Sequence, residues 1–130
     1  MERSSKPLAK KLALKPGQRF LLLDAPPRYR DALGPLPQGV AMTTRAGSKA
    51  DAVQVFATTK KEMRDSLAKA KAALNPGGMI WLTYPKGTSK KFKSDIDRDS
   101  IREYTQSVGL ETVALVAVDD DWSAIRCKVV

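Results

Sequence analysis

Short apolar runs that alternate with segments of helical spacing constrain this chain more than any other feature. Arg19-Phe20-Leu21-Leu22-Leu23-Asp24 is an unbroken apolar run between charged ends, the form of a strand covered on both faces. It stops at Ala25-Pro26-Pro27, where two prolines cannot donate ladder hydrogen bonds. Val40 to Thr44, Asp51 to Phe56 and Met79 to Tyr84 read as three further strands. The clearest helix lies between the last two. Thr59 and Glu62 form a capping-box pair, Met63, Leu67, Ala70 and Leu74 recur at helical spacing, and Asn75-Pro76-Gly77-Gly78 is a stop. Asp97 can cap a second helix, with Ile101, Tyr104 and Val108 on its inner face and Gly109 at its end. Shorter helical stretches are expected near the start, where Ser4 or Ser5 precedes Pro7 with Leu8 and Leu12 four apart, and over Tyr29 to Leu33, closed by Gly34.

Thr112 to Val118 and Ser123 to Val129 are two more strands, separated only by Asp119-Asp120-Asp121-Trp122, and so short a gap makes an antiparallel hairpin. Strands alternating with helices predict a single three-layer α/β domain over residues 1–130, with a mostly parallel six-stranded sheet that ends in that hairpin. At 130 residues such a domain buries roughly two-thirds of its unfolded surface without staples. Arg126 and Lys128 alternate with apolar residues on the last strand, as on a strand with one wet face. Either the hairpin lies near the sheet edge or a helix leaves that face open.

One cysteine and no histidine exclude an internal disulfide, a zinc site of the Cys/His kind and Ser-His-Asp or Cys-His catalysis. Asp119, Asp120 and Asp121 read as turn chemistry, because the glycine and distal glutamate of a calcium loop are missing; no metal is expected. Trp81 and Trp122 read as packing residues, and Cys127 as buried beside Ile125 and Val129. No apolar stretch approaches the ~20 residues of a membrane helix. Met1 to Lys15 lacks the apolar stretch of a secretory signal, so a cytoplasmic protein is expected.

The order of these elements resembles a class I methyltransferase Rossmann fold. The residues that carry the likeness are a segment ending in Lys15-Pro16-Gly17, a strand entered through Asp51, a helix running into Leu74-Asn75-Pro76-Gly77-Gly78, the strand Met79-Ile80-Trp81-Leu82, and a terminal hairpin entered through Gly109-Leu110. One helix-strand unit is missing between Thr44 and Asp51. As a whole the chain is similar to small bacterial proteins of a domain-of-unknown-function family, with Pro85-Lys86 and Trp122-Ser123 as shared landmarks. Cofactor binding in the methyltransferase fold relies on a glycine-rich turn after strand one and an acidic residue after strand two. Here those places hold Asp24-Ala25-Pro26-Pro27-Arg28 and Thr43-Thr44-Arg45, so neither S-adenosylmethionine nor a dinucleotide is expected as cofactor.

Charge points to a different ligand. Residues 1–50 carry ten basic and three acidic groups, residues 51–93 nine and three, and residues 94–130 four and eight, for a net +9. Such an excess favours anionic partners. Ligands of open α/β sheets sit outside the carboxyl ends of the strands where strand order reverses, here between strands one and three. Arg28 and Arg30, Arg45 and Lys49, Lys60 and Lys61, and Lys86, Lys90, Lys91 and Lys93 follow successive strands toward that rim, and the helix after Thr59 adds its positive end. The expectation is a basic crevice for an anionic, phosphate-bearing ligand. Asp24 is the carboxylate at its mouth, able to orient a ligand hydroxyl. The lysine-rich loop 86–94, with Phe92 to stack one base, offers nucleic acid as a second anionic partner and is expected to be flexible. On this reading the chain is a binding or regulatory module rather than an enzyme. The alternatives are an S-adenosylmethionine-dependent methyltransferase with a degenerate cofactor site and a nucleic-acid-binding protein; oligomeric state is open.

Overall fold

The computed structural model describes residues 11–26, 29, 33, 36–45, 47–86, 94–119 and 121–129. The helix expected from Ser4 or Ser5 falls mostly outside them, as does loop 87–93. Six strands form one sheet: β1 (Arg19–Leu23), β2 (Ala41–Thr43), β3 (Ala50–Phe56), β4 (Leu74–Pro85), β5 (Leu110–Ala117) and β6 (Trp122–Val129). Their order is β2-β1-β3-β4-β6-β5. β1 runs parallel to β2 and β3, β3 runs parallel to β4, and β6 is antiparallel to both β4 and β5. This is an α/β Rossmann-like sheet, and the apolar runs explain it, because a strand interior to a parallel sheet must be covered on both sides.

Alternate residues of the central strands feed two cores. Leu21, Leu23, Val53, Val55, Ile80 and Leu82 pack under helices α1 (Lys60–Ala73) and α2 (Arg98–Ser107). Phe20, Leu22, Ala52, Phe56 and Trp81 face the other way, against Leu12, Leu14, Tyr29 and Leu33. The buried stripe of α1 holds Met63, Leu67 and Ala70 as the spacing predicts, while Leu74 is its C-cap and only half-buried. β4 begins at that cap, earlier than the sequence suggests. Leu74 pairs with Ala50 and Met79 with Ala52, so Asn75 to Gly78 bulge out opposite the single residue Asp51. β6 lies inside the sheet and β5 forms its edge, and the face of β6 that carries Arg126 and Lys128 is the one no helix of the described residues covers.

Polar groups close the ends of these elements. Thr59 Oγ1 accepts from the Glu62 amide at 3.1 Å, but Glu62 Oε1 reaches back to the amide and hydroxyl of Thr58 rather than to the cap itself. Asp97 and Ser100 form a complete capping box. Asp119 Oδ1 accepts from the amides of Asp121 and Trp122, so its side chain is spent on the hairpin turn. Inside the sheet, Tyr29 Oη donates to Gln54 Oε1 at 2.9 Å and Gln54 Nε2 donates to Thr83 Oγ1 at 2.8 Å, all three buried. Cys127 is fully buried, and burial pushes its thiol up to about 12. Val129, by contrast, is exposed, because β6 outruns the core at its end.

Thr83→Val keeps the shape of that side chain but leaves the buried Gln54 amide without its acceptor, so denaturant unfolding should show a loss of about 1–3 kcal/mol. Backbone and hydroxyl donors, together with the Asn75 amide at Asp51, hold the carboxyls of Asp51, Glu62 and Asp97 below their ordinary values. A lowered carboxyl stabilises the fold above its unfolded value and loses that contribution as pH falls through the folded one. The unfolding midpoint should therefore drop as pH is taken below about 4, and Asp97→Asn with Glu62→Gln should flatten that drop.

Candidate functional site

The chain leaves β1 in one direction for β2 and takes up β3 on the other side, so strand order reverses between β1 and β3. At the carboxyl ends of these two strands the surface opens into a crevice of ≈ 400 Å³. Asp24 and Pro26, just past β1, line one side, and Phe56 to Thr58, at the end of β3, line the floor. Trp122 reaches the same place because β6 is antiparallel and starts beside Pro85. Its ring meets Phe56 edge-on, with centroids 5.2 Å apart, and gives the crevice an aromatic wall.

The turn that leaves β1 contains no glycine, yet it bends sharply. Asp24 takes φ +59°, in the left-handed region that Asp tolerates better than most side chains. That conformation holds its carboxylate in the crevice, where Ser66 Oγ lies 3.5 Å from Oδ2 as a long donor. Glu62, Asp65, Ser66 and Lys69 line the wall contributed by α1. Three carboxylates against one ammonium make the described lining acidic. Glu62 stays ionised, since the donors of Thr58 hold its carboxyl below the usual range.

The described cations named from the sequence are not part of this lining. Arg45, Lys60 and Lys61 are exposed and Lys86 is half-buried; they follow the ends of β2, β3 and β4, and none of them lines the crevice. Lys49 does not belong to that rim at all. The segment after β2 recrosses the sheet, and Lys49 Nζ donates to the Ala72 carbonyl at 2.8 Å, at the far end of α1. Arg28, Arg30, Lys90, Lys91 and Lys93 lie outside the described residues. The positive end of α1 already has anions of its own: the Lys60 amide donates to Asp95 Oδ1 at 2.8 Å and the Thr58 amide to Glu62.

Of these lining residues Asp24 is the one expected from the sequence, whereas the α1 wall and Trp122 were not. A signal for the wall exists. Residues 62, 65, 66 and 69 recur at helical spacing and form a polar stripe that overlaps the buried one at Ser66.

A family model described as "Protein of unknown function (DUF3052)" matches residues 39–129. No curated protein matches the chain. Similar solved structures include DhpI in complex with SAH, with TM-score 0.64 and 13% identity, covering 95% of this chain and 82% of that one. A SAM-dependent methyltransferase from Aquifex aeolicus has TM-score 0.64 and 12% identity, covering 93% and 87%. The N-methyltransferase NodS from Bradyrhizobium japonicum has TM-score 0.61 and 12% identity, covering 93% and 92%. At these identities the likeness shows a methyltransferase-like fold.

The backbone of Asp24 yields a direct check. Asp24→Val, which puts a branched side chain at positive φ, should lower stability by about 1–2 kcal/mol in denaturant unfolding, whereas Asp24→Gly should not.

Proposed function

The chain belongs to the DUF3052 family of proteins of unknown function, and from that premise we propose that its switch-point crevice binds a small hydroxylated cation of the S-adenosylmethionine class. The observation that carries this reading is the sign of the lining among the described residues, with Asp24, Glu62 and Asp65 around one lysine. Carboxylates accept hydrogen bonds from sugar hydroxyls and attract a sulfonium or ammonium group, and they repel phosphate. The volume of ≈ 400 Å³ falls in the usual range for small-molecule sites, about 300–1,000 Å³. Phe56 and Trp122 supply an apolar wall for a flat base. The methyltransferase-like fold supports the same ligand class, since the related structures named above include a complex with SAH.

A second reading keeps the anionic partner. Arg45, Lys60, Lys61 and Lys86 follow the same strand ends, and the chain carries net +9, which favours a phosphate-bearing ligand or a nucleic acid held along the rim rather than within the crevice. Isothermal titration separates the two readings. S-adenosylmethionine and S-adenosylhomocysteine are expected to bind, and Asp24→Ala is expected to weaken both by about tenfold or more, the worth of one charge-assisted contact. Binding of ATP or an oligonucleotide alone, falling steeply with salt, would replace the first reading by the second.

A further inference from the structure

At the opposite end of the sheet from the switch point, beside the start of β3 and the end of β6, lies a second depression of ≈ 340 Å³. Among the described residues three cations line it: Lys15, Arg126 and Lys128. We propose that this depression is a separate binding site for a small organic oxyanion, a phosphate or carboxylate head on a compact apolar body.

The cations are set in place by different means. Arg126 is half-buried, and its guanidinium carbon lies 5.9 Å from the centroid of the Trp81 ring. That ring is itself pinned, because Trp81 Nε1 donates to the Leu12 carbonyl at 2.9 Å. Lys128 pairs with Glu111 at 3.4 Å, the sole ion pair among the described residues, so Arg126 and Lys15 have no carboxylate partner there. The one acid in the described lining, Asp51, turns its oxygens to neighbouring donors, Oδ2 accepting from the Arg19 amide at 2.9 Å and Oδ1 from Asn75 Nδ2 at 3.1 Å, and its single charge leaves that lining net positive. Two cations are thus left facing a concave surface, and one of them, Arg126, lies over an indole face and offers the forked donors that suit a planar oxyanion.

The same depression has an apolar side. Met79 lines it, and so does Val113, which is 41% exposed. Val113 is the extra residue of a bulge: Thr112 pairs with Cys127 and Ala114 with Arg126, and Val113 stands between them. Bulges re-aim side chains, and this one leaves a valine beside Arg126 in solvent. A ligand with an apolar body covers Val113 while its head meets Arg126 and Lys15. This accounts for the alternating cations on the last strand, which the crevice does not use.

The test is an NMR titration of the full chain with phenyl phosphate, benzoate and inorganic phosphate. Phenyl phosphate should shift the amide signals of Gly77, Gly78 and Val113 saturably, more tightly than inorganic phosphate, and benzoate should shift the same signals with lower affinity. Lys15→Gln, a change at an exposed side chain, should weaken phenyl phosphate by about tenfold, and Arg126→Gln by at least as much. Asp24→Asn should leave the titration unchanged, which separates this site from the crevice. Absence of saturable shifts, equal affinity for phenyl phosphate and inorganic phosphate, or unchanged affinity in Lys15→Gln would each overturn the proposal.

Discussion

Two-sided burial of β3 and β4 is the constraint from which the rest of the molecule follows. Both strands are interior to the sheet and carry apolar side chains on both faces, so neither face can be left to water. One face is closed by α1 and α2, the other by Leu12, Leu14, Tyr29 and Leu33. The buried amide of Gln54 sits within this arrangement, and its two bonds tie the β1–β2 connection, β3 and β4 together. An unpaired amide at that depth would cost more than either bond contributes, so the network favours one register over its neighbours.

The crevice is a product of the same topology. Where strand order reverses, the connections leave on opposite faces and a gap opens between them. What fills its walls is decided locally. α1 presents its buried stripe to the sheet, and the polar stripe of Glu62, Asp65, Ser66 and Lys69 faces the gap. Asp24 completes the lining only because its backbone adopts a left-handed turn. Among the described residues, charge at this end of the sheet falls in two tiers, acids within the gap and, outside its lining, Arg45, Lys60, Lys61 and Lys86 past the ends of β2, β3 and β4.

Elements with strong periodicity were readable from the sequence, and positions that depend on a loop's path were not. Phe20 to Leu23 predict a doubly covered strand, and their alternate burial in two cores is what the structure shows. Asp97 as a cap follows from its place before Ile101, although the reciprocal bond, from the Asp97 amide to Ser100 Oγ, emerges only in the folded chain. Lys49 illustrates the limit. Its number places it after β2, yet the chain crosses the sheet within a few residues and delivers it to the far end of α1. Grouping cations by the strand they follow ignores which end of the sheet the next loop reaches, and Lys49 is the case that shows it. β2, a three-residue strand, borders the sheet on the side of β1.

Cys127 sits in β6 opposite Ile80 of β4 and Thr112 of β5, in the middle of the only antiparallel part of the described sheet. Its thiol is sealed from solvent and held in its protonated, unreactive form. The molecule thereby carries an internal clock: the rate at which a small alkylating reagent captures this sulfur measures how often the last three strands come apart, without any label having to be introduced.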